Sequence, residues 1–249
     1  MKKPLIFVGS RLMIQSLRII ADLNDYEVIG ILDHHYWGNT ESLGGVPYIG
    51  DERTLLDKDN KQAQEWLRTC AFFPINWHSG NQPRPGELDL NLLRQQRIKV
   101  LEDSGAEVIN LIHPDVVGLR DLTHRYTTST LGKGILLQSS CWVAPDQCHI
   151  SDYCQIEAGS YVTHHVTLGK NVIVAPKCYV GAGNKLTVGD NSYIGAGTNW
   201  DFQHDPAIPK SVGENVTVWA RSLVSKNIPD NSFHTDGGRI FKKRIINNV

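Results

Sequence analysis

Two adjacent histidines, His164 and His165, sit inside YVTHHVTLG, residues 161–169, a run that otherwise alternates like a half-buried strand. A neutral imidazole is the side chain best suited to take a proton at neutral pH, so the pair is the first candidate for general-base chemistry. A second group follows the first apolar run, PLIFVG. There Gly9, Ser10 and Arg11 stand where a strand hands over to a helix, and free N–H groups at such a point favour an anionic ligand. Asp33 ends the next apolar run, YEVIGILD, where a carboxylate either meets a ligand or only solvates a turn. The five cysteines, Cys70, Cys141, Cys148, Cys154 and Cys178, include no CxxC pair, which argues for reduced, packing thiols rather than a disulfide framework or a thiolate zinc site. No activated serine or cysteine pattern is present, so a covalent acyl-enzyme is not expected.

The elements that position these residues change character near residue 115. Residues 1–114 alternate strand and helix signals. PLIFVG and YEVIGILD read as strands, with Met13, Leu17 and Ile20 at helical spacing between them. GDERTLLDK and QAQEWLRT read as helical pieces, CAFFPI as a strand, Leu93–Leu101 as a helix closed by Gly105, and EVINLI as the last strand. The order predicts an open parallel sheet, an α/β Rossmann-like domain, whose ligands belong at the carboxyl ends of its strands. HSGNQPRPGELD is the one long loop.

Residues 115–249 follow a period of six. Ile150, Ile156, Val162, Leu168, Val174 and Val180 share one register, which Val188, Ile194, Val212, Val218 and Val224 resume after slips. Four residues after most of these comes a second small or apolar side chain: Cys154, Ser160, Val166, Val172, Cys178, Ser192, Thr198, Val216, Ser222 and Ile228. Such an array is a solenoid whose rungs cover one another's apolar faces. With three hexads per coil, the extra residues between Val143 and Ile150, between Val180 and Val188, and between Trp200 and Ser211 all fall in the column of His164 and His165. Insertions gathered on one edge suggest an edge shaped for a ligand. The same count sets Asp146 one coil before His165, about 4.8 Å away, the spacing of neighbouring strands.

With 249 residues and 41% hydrophobic content, the chain can build a core in each of two domains. A formal charge of −1 leaves no domain-wide basic excess for nucleic acid. No apolar run approaches the roughly 20 residues that span a bilayer, and MKKPLIFVGSRLM turns polar too soon for a secretory leader, so the expected setting is cytoplasmic with no membrane partner.

The tandem hexapeptides of residues 128–228 resemble the left-handed parallel β-helix of hexapeptide acyltransferases. Their union with a Rossmann-like domain through LIHPDVV is similar to the sialic acid O-acetyltransferases and the N-acetyltransferases of nucleotide-linked amino sugars. The resemblance implies a homotrimer that uses acetyl-CoA as acyl donor, needs no metal, and holds a nucleotide-linked sugar on the N-terminal domain. The family's V-x-H-acidic-x-x-I/V-G segment corresponds to VTHHVTLG, which makes His164 the base and puts His165 where an acidic residue is usual. Asp146 is then the nearest carboxylate to orient it. Gly9, Ser10, Arg11 and Asp33 are the expected sugar-nucleotide contacts, with VGSRLM in place of the family's glycine-rich turn. Gly181, Ala182, Gly183 and His204 are expected beside coenzyme A, where HTDGGRIF replaces the usual G-x-P-A-K/R. Lys242, Lys243 and Arg244 form a basic tail that meets the coenzyme's phosphates or is only solvated. Three further readings stay open: O-acetylation of a sialic acid or similar sugar, a degenerate sugar-binding homologue, and a histidine metal site involving His149 and His204 of the kind found in γ-class carbonic anhydrases.

Overall fold

The computed structural model describes residues 1–10, 14–36, 38, 40–75, 90–118, 128–181, 185–200 and 210–243. The chain forms two compact units, one built from most of residues 1–113 and the other from residues 114–249. The first is an α/β domain. Strands β1 (Lys3–Val8) and β2 (Tyr26–Leu32) pair in parallel, as their apolar runs predict, and helix α1 (Ile14–Leu23) between them buries Ile14, Leu17, Ile20 and Ala21. After a short hairpin strand β3 (Ser42–Leu43), β4 (Val46–Gly50) lies parallel to β2 on its outer side. β4 was not legible in the sequence, because Pro47 and the glycines around VPYIG read as loop.

A 3₁₀ turn (Glu52–Leu56) and helix α2 (Lys61–Thr69) follow, the latter capped by Asn60, whose side chain accepts from Ala63 N at 3.0 Å. Strand β5 (Ala71–Pro74) completes the order β3-β4-β2-β1-β5, and helix α3 (Leu90–Asp103) ends before Gly105, whose φ is +71°. The expected strand EVINLI is only a bridge from Val108 to Phe72 and the short segment Leu111–Ile112. Asn24 explains part of the difference. Its side chain donates to Ile112 O at 2.8 Å and accepts from Ile112 N at 3.2 Å, taking the place of a longer strand ladder. The loop of residues 78–89 and Met13 lie outside the described residues.

The second unit is a left-handed parallel β-helix. Every inward position that the hexad register names, from Ile150 to Val224, is buried, as is every small residue four places on. Those small residues also bond. Ser160 Oγ donates to Ala175 O at 2.9 Å and accepts from Cys178 N at 3.1 Å, and Ser192 does the same with Gly213 O and Val216 N. The thiols of Cys154 and Cys178 donate to Gly169 O and Gly195 O. A second clamp repeats at one corner. Asp152, Asp190 and Asp230 each accept a backbone N–H from the preceding coil, from Lys133, Lys170 and Glu214 at 2.8–2.9 Å. Any side chain at Gly169 would collide with this clamp, since a Cβ there would lie 2.3 Å from Asp190 Oδ1.

The outward residues make three unlike faces. Leu136, Gln155, Ile173 and Thr217 are buried on one. Thr130, His149, Thr167, Thr187 and Ser211 form a polar rank on the second. Val117, Trp142, Tyr161 and Tyr179 align on the third. At the carboxyl end, Ser232–His234 and Ile240–Lys242 close the array as an antiparallel hairpin built from HTDGGRIF.

His234 is fully buried there, and neither ring nitrogen has a hydrogen-bond partner among the described residues. Burial, with the Lys226 charge adding to it, lowers its pKa below the ordinary 6.5. The folded state therefore holds the neutral ring, so this contribution to stability is present above about pH 6.5 and is lost as pH falls through the lowered folded value. The melting temperature of the wild type should drop more between pH 7 and pH 5 than that of His234→Val; parallel curves from scanning calorimetry would refute the linkage.

Candidate active site

The histidine pair occupies the corner between the short strands Tyr161–Val162 and Val166–Leu168. His165 takes a left-handed conformation, φ 60°, and its carbonyl accepts from Leu186 N at 2.9 Å, so the next coil holds the corner in place. The turn folds the second ring back on the first. The two rings meet edge to face at 4.7 Å, and His164 Nδ1 lies 2.5 Å from His165 Nδ1. Both side chains are half-buried. The preceding Thr163 is buried against Gly181, where a Cβ would fall 1.8 Å from Thr163 Oγ1, so glycine at 181 is required by packing.

Asp146 does lie in the corner one coil before, since Val143 pairs with Val162 and Cys148 with Val166. That corner holds four residues against three at the histidines, and Asp146 is exposed. Among the described residues its carboxylate bonds to neither ring. His164 faces His165 instead. Ala182, Gly183 and His204, together with the 201–209 insertion, lie outside the described residues, as does Arg244. Lys243 is described and donates to Asn215 Oδ1 at 3.1 Å. His149 is exposed on the polar rank with Nδ1 3.0 Å from Thr130 Oγ1. Thr130, His149, Ser151, Asp152 and Lys170 line a cavity of about 350 Å³ beside it.

The cysteines are buried and form no disulfide. Burial pushes the thiols of Cys141 and Cys178 up to about 11 and that of Cys148 up to about 12. These three are poor nucleophiles at neutral pH and serve as core, with the thiols of Cys141 and Cys178 hydrogen-bonded to backbone carbonyls.

In the α/β domain, a second cluster forms at the carboxyl ends of β1, β2 and β4. Asp33 is fully buried and saturated. It accepts from Ser10 Oγ at 2.7 Å, from Arg97 Nη2 at 2.6 Å and from His35 N at 3.0 Å. Arg97 also bonds Glu52 Oε1 at 3.3 Å, and His34 Nδ1 meets the same oxygen at 2.5 Å. Gly9, with φ +92°, passes directly over this guanidinium, and a Cβ there would lie 2.7 Å from Arg97 Nη1. Asp33 thus organises the site rather than offering a free oxygen, and Gly9 leaves room for the cation. Around them, Tyr36 stacks on Tyr48 at 6.0 Å, and burial raises the Tyr48 pKa, with its side-chain contact to Ser10 opposing. His35 stacks on His34 at 4.0 Å, and burial, then the charges of His34 and Arg97, lower its pKa.

Arg11 lies outside the described residues. His34, Asp51 and Glu52 bring one ligand atom each within 4.8 Å of one another, the one such group among the described residues. Glu52 and Asp51 are already engaged by Arg97, His34 and Arg53, which makes it an internally satisfied ion network. Arg97 and Glu52 were missed in the sequence, although one signal existed: Arg94 and Arg97 fall on the same helix face as Leu93, Ile98 and Leu101, where apolar residues are expected.

The bacterial transferase hexapeptide family (six repeats) matches residues 147–182. No curated protein sequence matches the chain. Among solved structures, the acetyltransferase domain of PglB from Neisseria gonorrhoeae aligns with a TM-score of 0.71 at 21% identity, over 94% of this chain and 97% of that one. The chain shares its fold. PglB's domain has also been solved with acetyl coenzyme A. PerB from Caulobacter crescentus, in complex with CoA and GDP-perosamine, aligns at 0.67 and 20% identity over 96% and 97% of the two chains. WeeI from Acinetobacter baumannii aligns at 0.63 and 16% identity over 97% and 100%. PerB is further described with one histidine changed to alanine or to asparagine, both with the same two ligands.

The buried Asp33–Arg97–Glu52 network yields a direct test. Arg97→Met leaves two carboxylates without their cation and should destabilise the protein by about 3–5 kcal/mol. Adding Asp33→Asn should recover part of that loss in urea denaturation, whereas simple additivity of the two changes would show that the charges are not coupled.

Proposed function

We propose that the protein is an acetyl-CoA-dependent N-acetyltransferase acting on a nucleotide-linked amino sugar, with His164 as general base. The observation that carries this reading is the half-buried histidine pair at a regular corner of a hexapeptide β-helix, between coils that carry insertions in the same column, in a fold shared with proteins that bind acetyl-CoA, CoA and GDP-perosamine. His164 Nε2 takes the proton of the amine as its lone pair forms the C–N bond to the thioester carbonyl. The C–S bond breaks, and the proton returns from His164 to the departing thiolate, leaving the base as it began. Backbone N–H groups at the corner steady the oxyanion. The high thiol pKa values of Cys141, Cys148 and Cys178 favour this direct transfer over a covalent acyl-enzyme. The cluster of Ser10, His35, Tyr36 and Tyr48 around Asp33 is where the nucleotide-linked sugar is anchored, since open parallel sheets take ligands at strand carboxyl ends.

A homotrimer belongs to the same proposal. Val117, Tyr161 and Tyr179 are 58%, 48% and 39% exposed on one face of the β-helix. Trp142, Tyr161 and Tyr179 stack on one another at 6.3 Å with their planes 27° and 22° apart, so the rings spend their faces on each other and turn their edges outward. Edges and apolar rims of this kind suit packing against another protein surface rather than stacking on a sugar ring. Light scattering should report a trimer for the wild type and a smaller species for Tyr161→Asp; a monomeric wild type would remove the assembly from the proposal.

For the reaction, His164→Asn should lower kcat by about 10²–10⁴ while the circular dichroism spectrum stays unchanged. Acetyl-CoA should raise the melting temperature, and so should one of a panel of UDP-, dTDP- and GDP-linked 4-amino sugars. Acetylation of the corresponding 4-hydroxy sugar but not the amine would turn the assignment to O-acetyl transfer. No shift with any donor or sugar nucleotide would favour a homologue that has lost its activity.

A further inference from the structure

We propose that His165 is a positioning residue that sets the tautomer of His164, so that the proton acceptor works within a hydrogen-bonded imidazole–imidazole pair rather than beside a carboxylate. The inference rests on the reading of His164 as the base, and deepens it.

The geometry allows one proton between the two Nδ1 atoms, 2.5 Å apart. If His165 donated it, His164 would carry its own proton on Nε2 and could not accept another there. The arrangement that leaves His164 Nε2 with a free lone pair has His164 Nδ1–H donating to His165 Nδ1, with the His165 proton on Nε2. The contact is fixed by backbone rather than by rotamer chance. The left-handed φ of 60° at His165 swings its ring over the preceding residue, and the bond from Leu186 N to His165 O pins the corner. The same left-handed turn recurs at the corners of Tyr153, Asn171, Lys177 and Arg221, so the repeat itself sets the backbone that brings the two rings together.

The titratable groups on neighbouring corners are Asp146, one coil before, and Lys185, one coil after, of opposite sign. Asp146 makes no hydrogen bond to either ring among the described residues, so the neutral imidazole alone supplies the acceptor.

The pair has a chemical signature. Uptake of a proton at His164 Nε2 makes a cation shared across the Nδ1–Nδ1 hydrogen bond, and a second proton then enters against that charge. The signature to look for is therefore the placement of the ring protons, on Nδ1 of His164 and on Nε2 of His165. A carboxylate at 165 would instead stabilise the His164 imidazolium and raise its pKa.

The experiment uses the intact protein with ¹⁵N-labelled histidine. At pH 8, NMR should show His164 protonated at Nδ1 and His165 at Nε2. In the enzyme assay, His165→Ala should lower kcat roughly tenfold or more with KM nearly unchanged, a part of the 10²–10⁴ that a placed base supplies. His165→Asp should restore kcat and move the acidic limb of the pH–rate profile upward. A His165 ring protonated at Nδ1, or a harmless His165→Ala alongside a damaging His164→Asn, would overturn the pair while leaving the base in place. A harmless His164→Asn would overturn the base assignment on which the inference rests, and the positioning role with it.

Discussion

Everything in the second unit depends on one constraint: each coil must set its N–H groups against the C=O groups of the next, with no slip, over the whole length of the array. Short two- or three-residue strands cannot hold such a register by themselves. The corners hold it. Asp152, Asp190 and Asp230 reach back to backbone N–H groups of the preceding coil, and Asn171 bonds Asn191 as Asn215 bonds Asn231. The buried serines and thiols take up carbonyls that the turns would otherwise leave unsatisfied. Glycine precedes these clamps because nothing larger fits under the carboxylate. A stack built in this way is rigid. Deviations from it are therefore informative, and the corner that carries His164 and His165 differs from the one before it by a residue.

The α/β domain solves the opposite problem. Its sheet edge gathers polar groups that would be costly to bury alone, and it does so around Asp33, which has no exposed surface. The carboxylate is tolerable because Arg97, Ser10 and a backbone N–H share it. Arg97 in turn is tolerable only because Glu52 and the open space beneath Gly9 receive it. The consequence for binding is that the groups left to meet a ligand are the aromatic and imidazole side chains around the network, held in place by charges that do not themselves face outward.

Two departures of the sequence from the acyltransferase pattern it resembles take on physical meaning. That pattern has an acidic residue after the position of His164, and the histidine found there meets the His164 ring through its own. The altered carboxyl-terminal motif is not a loss of structure, for HTDGGRIF makes a hairpin that closes the end of the β-helix and seals His234 inside.

The sequence by itself determined the division near residue 115, the β-helix register and nearly every inward side chain, because a six-residue repeat leaves its pattern in local spacing. It also determined that His164, His165 and Asp146 share a column, since counting along a periodic coil is counting in space. Spacing could not show where side chains point. That His164 meets His165 and not Asp146 depends on which way the rings turn at the corner. That Asp33 is enclosed rather than offered to a ligand follows from an arginine 64 positions away on α3. β4 was hidden because its pairing partner, not its own composition, makes it a strand. Contacts distant in sequence are set by packing and charge compensation, which only the folded chain brings together.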